Sequence, residues 1–390
     1  MSKLFSPKAL GPLRLENALV VSPMCQYKAK DGLPGAWHLA HLGAMALSGA
    51  GLVILEATGI TPNGRISPAC LGIYTDEQQE ALARLVTYMR ELRDLSIGIQ
   101  LSHAGRKSSV QPFDGGGYVT PAEGGWELIG PSAVVYRETA PAARALSEAE
   151  ISEYVGHFGD AAARARAAGF DMVEIHAAHG YLLSSFLSPL ANKREDGYGG
   201  DLAGRARFLL EVADAVRARV GDMPVGVRLS ATDHMGDEGI TLAETAIVAG
   251  WLKERGVAYV ACSSGGNSLD QKLRQVEAAY QAPYAEFVRR QSGIETIAVG
   301  MFNNAQDAEN ALQRGQCDFV AVGRNALDSP RFGLHWQNAL DNDAIYPKSY
   351  WRIAPDFWRG YRPNHPEYSH ERRAALSRDS GLNEANARLT

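Results

Sequence analysis

The amino-acid sequence predicts an α/β fold, a (β/α)8 TIM barrel with an excursion after the third strand and a C-terminal closing segment. Short apolar runs rich in β-branched residues alternate about eight times with longer amphipathic runs. The short runs are apolar throughout, as in a parallel sheet that is buried on both faces. Eight such units over roughly 330 residues match the size of one barrel. We therefore expect one (β/α)8 barrel domain at residues 1–363 and a polar C-terminal tail at 364–390.

Eight segments qualify as the barrel strands, because each is a short run of apolar and often β-branched residues. In chain order they are ALVVSPM (18–24), GLVILEA (51–57), SIGIQLS (96–102), FDMVEIH (170–176), MPVGVRLS (223–230), VAYVACS (257–263), ETIAVG (295–300) and CDFVAVG (317–323).

Seven longer segments between the strands show helical patterns. In chain order they occupy residues 37–49, 76–94, 147–169, 201–220, 241–256, 284–293 and 305–315. Several begin with Ser, Thr or Asp followed by Glu near the third helical position, and several end in Gly. Both features are typical of helix caps.

A doubly wound open sheet is the alternative α/β architecture. Its phosphate fingerprint, G-x-G-x-x-G, should follow the first strand. The corresponding segment here, SPMCQYK (22–28), contains no glycine. The barrel is therefore favoured.

Two stretches exceed a minimal barrel. Residues 104–146 are rich in Gly, Pro and aromatic residues, so we expect an ordered excursion over one face of the barrel. Residues 346–363, YPKSYWRIAPDFWRGYRP, form an aromatic segment. The polar tail that follows is expected to be flexible.

The composition is that of an ordinary globular protein, with 45% hydrophobic and 21% charged residues. A net charge of −5, an isoelectric point of about 6.1 and the lack of a Lys/Arg-rich run argue against nucleic acid as a partner. The start of the chain has no apolar signal-peptide region, and no window offers a clean membrane span of roughly 20 apolar residues. Four widely spaced cysteines without a C-x-x-C pair suit a reducing compartment. We expect a cytoplasmic protein that does not associate with membranes.

Polar and ionisable residues follow the predicted strands at their carboxyl ends, where barrels of this kind carry their chemistry. In strand order these residues are Ser22, Pro23, Met24, Cys25 and Tyr27; Glu56 and Ala57; Gln100 and His103; His176, His179 and Tyr181; Arg228; Ser263 and Ser264; Gly300; and Gly323 and Arg324.

His176, His179 and Tyr181 arrive together in one tight turn, which favours a functional over a purely structural role. The H-x-x-H pattern can also ligate zinc. No nearby Asp, Glu or Cys completes a ligand set, however, and Arg228 would repel a cation, so we expect no metal. Imidazoles can instead donate hydrogen bonds to a substrate oxygen, and a tyrosine can donate a proton.

Arg228 lies in an otherwise apolar strand, where it either forms a buried ion pair or holds negative charge at the barrel mouth. Gly300 and the pair Gly323–Arg324 follow the last two strands, where barrels commonly bind phosphate. Cys25 is either a small buried hydrophobe or the neighbour of a cofactor. The residues alone thus indicate a barrel enzyme that binds a phosphorylated anion, with hydrogen-bond donors and a proton donor at its mouth.

Seven motifs spread over residues 3–362 resemble those of one known family. They are SPMCQY, GRISPACLGIY, IQLSHAGRK, GWELIGPSA, EIHAAHGYLLSSFLSPLANKREDGYGG, RARFLLE and VAVGRNAL. The family is that of the old yellow enzymes, flavin-dependent ene-reductases, and within it the bacterial subclass with a cysteine near the flavin that includes the xenobiotic reductases. The combination H-x-x-H-G-Y with N-K-R-x-D-x-Y-G-G is the most specific of these signals.

The resemblance implies a noncovalently bound FMN as cofactor and NAD(P)H as reductant. Arg228 would face the ring edge that carries negative charge in the reduced flavin. Cys25 would lie near flavin N5 and tune its potential. The resemblance assigns ring contacts to Ser22, Pro23, Met24, Ala57, Gln100 and Arg228, and phosphate contacts to Gly300, Gly323 and Arg324.

The resemblance also implies the chemistry of the substrate. His176 and His179, helped by Tyr27, would bind the carbonyl oxygen of an activated alkene and stabilise the charge that develops on it. Hydride would pass from flavin N5 to the β-carbon, and Tyr181 would protonate the α-carbon from the opposite face. NAD(P)H would bind over the same flavin face in a separate half-reaction, so the kinetics should be ping-pong.

The C-terminal aromatic segment resembles one that closes the site in this subclass, which implies a substrate contact for Trp358. In some members this segment also brings an arginine into a neighbouring subunit's site, a role open here to Arg359 or Arg362. A homo-oligomer is therefore expected. The segment 263–280 follows the sixth strand and should shape the substrate pocket.

Other functions remain open from the sequence. The same hydride step could run in the oxidative direction, as in a flavin-dependent dehydrogenase, or serve a nitroreductase. A metal-dependent barrel lyase or hydrolase would use His176 and His179 as ligands. A flavin-binding barrel without enzymatic activity would leave Tyr181 without a role.

Overall fold

The structure, a computed structural model, describes residues 1–113, 117–272, 277–341 and 343–366 of the chain. The strands of these residues, in chain order, are β1 (Lys8–Leu10), β2 (Leu13–Leu15), β3 (Leu19–Val21), β4 (Leu52–Gly59), β5 (Ser96–Ser102), β6 (Ile129–Gly130), β7 (Arg144–Ala145), β8 (Met172–Ala177), β9 (Val225–Ser230), β10 (Tyr259–Ser263), β11 (Glu295–Val299) and β12 (Phe319–Val322). Their α-helices are α1 (Ala36–Ala46), α2 (Asp76–Leu92), α3 (Glu148–Ala167), α4 (Leu182–Leu187), α5 (Leu202–Val220), α6 (Leu242–Glu254), α7 (Ala282–Ser292), α8 (Ala305–Gln313), α9 (Arg324–Asp328), α10 (Phe332–Leu340) and α11 (Tyr361–Asn364).

Eight of these strands close into a parallel barrel. Their order around the axis is β3, β4, β5, β8, β9, β10, β11 and β12, and β12 pairs back onto β3. Each of the eight predicted strands supplies one barrel strand, so the (β/α)8 fold predicted from the sequence is confirmed. The barrel strands are almost wholly buried, because the helices cover their outer face and the facing strands fill the interior.

Two strand boundaries differ from those predicted. The first predicted strand, 18–24, is paired only over Leu19–Val21, because Pro23 has no N–H to offer to a ladder. The second continues beyond its predicted end to Gly59, through a bulge in which Glu56 is the extra residue. Because of this bulge, Glu56 interrupts the alternation by which successive side chains of β4 point to opposite faces of the sheet.

All seven predicted helices form, and the predicted caps are present. Thr75, Ser147 and Thr241 each accept a hydrogen bond from the backbone N–H three residues on and complete a capping box. The sequence patterns did not predict α4, α9, α10 or α11. All six residues of α4 are buried, so it has no amphipathic period, and Pro330 separates α9 from α10.

The predicted excursion at 104–146 leaves the carboxyl end of β5. It contains single 3₁₀ turns at Gly105–Lys107 and Pro121–Glu123 and the short parallel pair β6–β7. The Trp126 indole Nε1 donates to Ser108 Oγ at 3.0 Å and ties the middle of the excursion to its beginning, just after β5. Residues 114–116 of it lie outside the described part of the chain.

The C-terminal segment returns to the opposite, amino-terminal rim. The Leu334 N–H of α10 donates to the carbonyl of Ser48, in the loop that leads into β4. Tyr361 of α11 then packs on α10, where its hydroxyl lies 3.1 Å from Nδ1 of His335. Of the polar tail predicted at 364–390, only residues 364–366 belong to the described chain. In that described chain, no helix is both long enough and apolar enough to cross a lipid bilayer.

Buried Asn17 ties two barrel strands together at the amino-terminal rim. Its Nδ2 donates to the carbonyl of Gly49 at 3.0 Å, and its Oδ1 accepts from the N–H groups of Leu19 and Gly51 at 3.0 and 2.8 Å. A Cβ on Gly51 would lie 2.7 Å from the Asn17 carbonyl oxygen, so the loop approaches this side chain closely only because residue 51 is glycine.

We expect Asn17→Ala to lower the free energy of unfolding by about 2–4 kcal/mol, because backbone groups at the starts of β3 and β4 lose a buried partner. Chemical denaturation followed by circular dichroism measures the change. The adjacent Glu16→Ala removes only an exposed ion pair with Arg93 and should change stability by less than about 1 kcal/mol. Equal effects of the two substitutions would contradict the role of Asn17.

Candidate active site

The carboxyl-terminal rim of the barrel brings an imidazole and a guanidinium side by side. His176 on β8 and Arg228 on β9 are register partners. Arg228 Nη1 donates to Ser22 Oγ, after β3, at 3.3 Å, while Arg228 Nε is buried and has no hydrogen-bond partner among the described residues. An unpaired donor of this kind fits a bound group with acceptor atoms, since burying it without a partner is costly.

The H-x-x-H-x-Y turn directs three rings to one place. The rings of His179 and Tyr181 lie edge-on to that of His176, with centroid distances of 5.2 and 5.0 Å. His176 Nδ1 accepts from the Ala178 N–H at 3.2 Å, so the ring proton is on Nε2. His179 Nε2 lies 2.7 Å from Ser263 Oγ. In the described chain, His176 Nε2 and the Tyr181 hydroxyl have no hydrogen-bond partner, and both are available to a ligand.

Both imidazoles are held neutral. Burial lowers the pKa of His176 and His179 well below the usual value, and Arg228 and Lys107 lower it further. Burial raises the pKa of Tyr181, as do Cys25 and Tyr27 nearby, so the phenol keeps its proton. The rim therefore presents uncharged donors.

The His176–Tyr181 turn contacts the loop after β10 through glycine backbone. Gly180 and Gly266 both have positive φ. A Cβ on Gly180 would lie 2.2 Å from the Gly266 carbonyl oxygen, and a Cβ on Gly266 would lie 2.5 Å from His179 Cα. Only glycine permits this approach. The turn and the loop therefore hold each other in place.

Lys107 clamps this contact from the excursion. Its Nζ donates to the carbonyl oxygens of His179 and Gly266 at 2.6 and 3.0 Å, and it also lies over the rings of Tyr136 and Tyr181. Burial lowers the pKa of this lysine to about 7, helped by the neighbouring Arg106 and Arg137. Lys107 was not among the site residues predicted from the sequence, although its place in the IQLSHAGRK motif after β5 could have indicated it.

Cys25 and Tyr27 line the other side of the rim in a small apolar cluster with Ala57, Ile66, Cys70 and Ala104. Burial raises the pKa of Cys25, as do Cys70 and Glu56 nearby, so this thiol is neutral. Tyr27 has a left-handed backbone with φ of 53°, and its ring packs edge-on against Phe113 at 5.5 Å.

Seven of the predicted cofactor residues line one cavity of about 370 Å³. Gly300 has φ of +127°, and a Cβ there would lie 2.6 Å from Gln281 Nε2, so glycine is required. The cavity is lined by, among others, Ser22, Pro23, Met24, Arg228, Gly300, Gly323 and Arg324. Its glycines and its two arginines fit a phosphorylated ring system such as FMN.

Three predicted site residues, Gln100, Ala57 and Trp358, do not line this cavity. Gln100 is buried in β5 opposite Ala57 of β4, so these two predicted cofactor residues are neighbours. Trp358 packs against Tyr361, whose hydroxyl accepts a hydrogen bond from Asn338 of α10 near the amino-terminal rim. The structure therefore does not bring Trp358 to the histidines of its own chain. Arg359 lies beside it and is exposed.

The loop 263–280 begins beside His179 and is described except for residues 273–276. Ser264 Oγ donates to Gln281 Oε1, and Gln281 Nε2 donates to the carbonyl of Val299, which fixes the two ends of the loop. Across the residues that the structure describes, no three His, Cys, Asp or Glu side chains come together in a way that would hold a metal ion.

Comparison with known proteins gives a consistent result. A profile of the NADH:flavin oxidoreductase / NADH oxidase family matches residues 3–343. An NADPH dehydrogenase of Geobacillus thermodenitrificans is 44% identical over 329 residues, which are 84% of this chain and 91% of that protein. An NADPH dehydrogenase of Bacillus subtilis is 40% identical over 352 residues, 90% of this chain and 98% of that protein. Morphinone reductase in complex with tetrahydroNAD superposes with a TM-score of 0.71 at 30% identity, covering 94% of this chain and 97% of its own.

We expect the imidazole ¹⁵N shifts of His176 and His179 to stay at neutral values from about pH 8 to about pH 5.5, below the ordinary histidine pKa of about 6.5. Because their pKa is lower in the folded state, the stability they contribute is present above about pH 6.5 and is lost as the pH falls. NMR of imidazole-labelled protein measures this, with His176→Gln and His179→Gln for assignment. A titration midpoint near pH 6.5 for either ring would contradict it.

Proposed function

The chain belongs to the NADH:flavin oxidoreductase / NADH oxidase family, and from this premise we propose that it is an ene-reductase acting on α,β-unsaturated carbonyl or nitro compounds. As a family member it is an FMN-dependent oxidoreductase that takes its electrons from a reduced nicotinamide. The observation that supports the finer proposal is the pair of partnerless donors at the rim, His176 Nε2 and the Tyr181 hydroxyl, whose rings are 5.0 Å apart.

The residues of the rim would hold the cofactor by its two ends. Bound FMN supplies a ring nitrogen that accepts and donates a hydride. Arg228 would meet the ring with its unpaired Nε, and Gln100 and Ala57 would line the same side. Gly300, Gly323 and Arg324 would receive the phosphate, since a glycine backbone lets N–H groups approach an anion and an exposed arginine adds charge. Ser22, Pro23 and Met24 complete the wall of the cavity.

The substrate oxygen would be bound by neutral donors. His176 Nε2 carries a proton and has no partner among the described residues, so it can donate to a carbonyl oxygen. His179 is held at the same place by Ser263, and Tyr27 is near enough to the cluster to assist. Preorganised donors of this kind stabilise negative charge that develops on the oxygen.

Tyr181 would supply the proton to the α-carbon. Its raised pKa keeps the proton on the phenol until the substrate becomes basic enough to take it. Lys107, whose Nζ lies 5.3 Å from the Tyr181 ring centroid, offers a cation that stabilises the resulting phenolate. Its pKa of about 7 also allows it to take part in returning the proton.

The donor of electrons would be NADH or NADPH, bound at the same site in turn with the alkene, which gives ping-pong kinetics. The complex of morphinone reductase with tetrahydroNAD and the names of the NADPH dehydrogenases support this role of nicotinamides.

We further propose a cytoplasmic homo-oligomer, in which exposed Trp358 and Arg359 of one subunit reach the site of another. Four cysteines that form no disulfide in the structure suit the cytoplasm.

Tyr181→Phe should slow reduction of an enone by about 10²–10⁴-fold, the usual contribution of a positioned general acid. Reduction of the flavin by NADPH should be nearly unchanged, because that half-reaction needs no proton from Tyr181. Anaerobic stopped-flow absorbance measures both halves separately. Tyr88→Phe, on the outer helix α2, is the matched control and should leave both rates unchanged. Equal losses in the two half-reactions would contradict the proton-donor role.

Cys25→Ala should shift the potential of the bound flavin without abolishing turnover, because a neutral thiol beside the ring acts through its dipole and not as a nucleophile. Spectroscopic redox titration and steady-state assay measure the two effects. Complete inactivity with FMN still bound would mean that the thiol takes part in the chemistry.

A further inference from the structure

A row of buried polar side chains crosses the barrel interior one layer below the rim. The strand register places Gln100 of β5 beside Glu174 of β8, Glu174 beside Gly226 of β9, and Gly226 beside Tyr259 of β10. Gln100, Glu174 and Tyr259 are 2%, 1% and 0% exposed. The interior layers of such barrels are usually filled by branched apolar residues. A polar layer at this level therefore calls for an explanation beyond packing.

Glu174 is the centre of this row. Its Oε1 accepts from Gln100 Nε2 at 2.7 Å, and its Oε2 accepts from the Tyr259 hydroxyl at 2.9 Å. An ionised carboxylate can only accept hydrogen bonds, so the amide nitrogen of Gln100 must face it. The amide oxygen of Gln100 is thereby left for a donor on another group. Glu174 thus fixes which end of the Gln100 amide a ligand meets.

The chain makes room for this arrangement at Gly226. A Cβ there would lie 2.1 Å from Cζ of Tyr259. The tyrosine ring can therefore cross β9 and reach the carboxylate on β8 only because residue 226 is glycine. Among the described residues, the other hydrogen-bond acceptor near the Tyr259 hydroxyl is Met172 Sδ, at 3.7 Å. The carboxylate of Glu174 is therefore the stronger acceptor for this hydroxyl.

The charge of Glu174 is balanced by Arg228, two residues beyond Gly226 on the same face of β9. Burial raises the pKa of Glu174 above its usual value, and Arg228, Gln100 and Tyr259 offset part of this rise. Burial likewise lowers the pKa of Arg228, and Glu174 raises it. Each group therefore favours the charged form of the other, and the carboxylate offsets part of the positive charge that Arg228 presents to the rim.

We propose that Glu174, held by Tyr259, is a positioning residue of the flavin site that orients Gln100, offsets the charge of Arg228 and thereby lowers the reduction potential of bound FMN. The inference rests on the proposed function in one respect, the binding of the flavin ring above Arg228. Reduction adds electron density to the ring, and a fixed negative charge one layer below opposes this. Glu174 touches neither substrate nor reacting atoms, so its effect is exerted through Gln100 and Arg228.

The test is the midpoint potential of FMN in the purified holoprotein, measured by equilibration with a reference dye near pH 7. Glu174→Gln removes the charge and keeps the shape of the side chain. We expect the ratio of reduced to oxidised flavin at a fixed potential to rise at least about tenfold, which for a two-electron couple is ~30 mV. An unchanged or lowered potential overturns the proposal.

Two control variants separate charge from packing. Glu174→Asp keeps the carboxylate, and its flavin ratio should stay within about threefold of the natural protein, well below the tenfold effect of charge removal. Met172→Leu alters a buried neighbour of the Tyr259 hydroxyl without changing a charge and should leave the ratio unchanged. A Met172→Leu shift as large as that of Glu174→Gln would assign the effect to packing and overturn the proposal.

Tyr259→Phe provides a second test should Glu174→Gln fail to fold or to retain FMN. The hydrogen bond from the Tyr259 hydroxyl lowers the pKa of Glu174, so its loss raises that pKa. Arg228 on β9, the charged neighbour of Glu174, is unchanged. The carboxylate is then protonated earlier as the pH falls. The potential of the variant relative to the natural protein should therefore be more positive at acid than at alkaline pH. A difference that does not depend on pH counts against the proposal.

Failure of this inference can be told apart from failure of the proposed function. If Glu174→Gln reduces enones with FMN at the natural potential, only the role of Glu174 is wrong. If the natural holoprotein transfers no electrons from NADH or NADPH to an enone, the proposed function is wrong, while the potentials of the variants still decide the role of Glu174.

Discussion

The register between β8 and β9 is the constraint on which the rest of the site depends. Residues two apart on a strand share a face. β8 therefore directs Glu174 and His176 into the barrel one above the other, and β9 does the same with Gly226 and Arg228. At the rim, His176 lies beside Arg228. In the layer below, Glu174 lies beside Gly226, which leaves space for the ring of Tyr259. A slip of β9 by one residue would turn Gly226 and Arg228 toward the helices and away from Glu174 and His176.

The electrostatic character of the rim follows from this placement. Arg228, and Lys107 with its pKa of about 7, lie close to groups that burial keeps uncharged, which are the two histidines, Tyr181 and Cys25. Neutral donors beside a guanidinium can bind an electron-rich ring or a polarised oxygen without first exchanging a proton. Buried Glu174 favours the charged form of Arg228 from the layer below, and in our proposal it limits how strongly the rim attracts electrons.

The barrel and most of its rim could be predicted from the sequence, because apolar runs locate the strands and strand ends locate the chemistry. The polar layer below could not. Glu174 within an apolar run shows that a buried carboxylate needs a partner, but the partner, Tyr259, is fixed by a register that no local pattern encodes. Trp358 was expected at the substrate by resemblance, whereas its own chain seats it against Tyr361, because α10 carries the C-terminal segment to the other rim. The Gly180–Gly266 contact joins segments too far apart in sequence for a short motif to reveal it.

That contact divides the loop after β10 into two parts with different freedom to change. Its first residues, up to Asn267, contact the His176–Tyr181 turn through the backbone of Gly266, Lys107 bonds both segments, and Arg106 donates to the Asn267 carbonyl. Substitutions in that part would displace His179 and Tyr181. Gln271 Oε1 also accepts from the Gly266 N–H at 2.7 Å, whereas Leu269 and Asp270 between them are exposed. Relatives that handle bulkier or smaller molecules are therefore expected to diverge first at these two exposed positions, and libraries aimed at new substrates are best begun there.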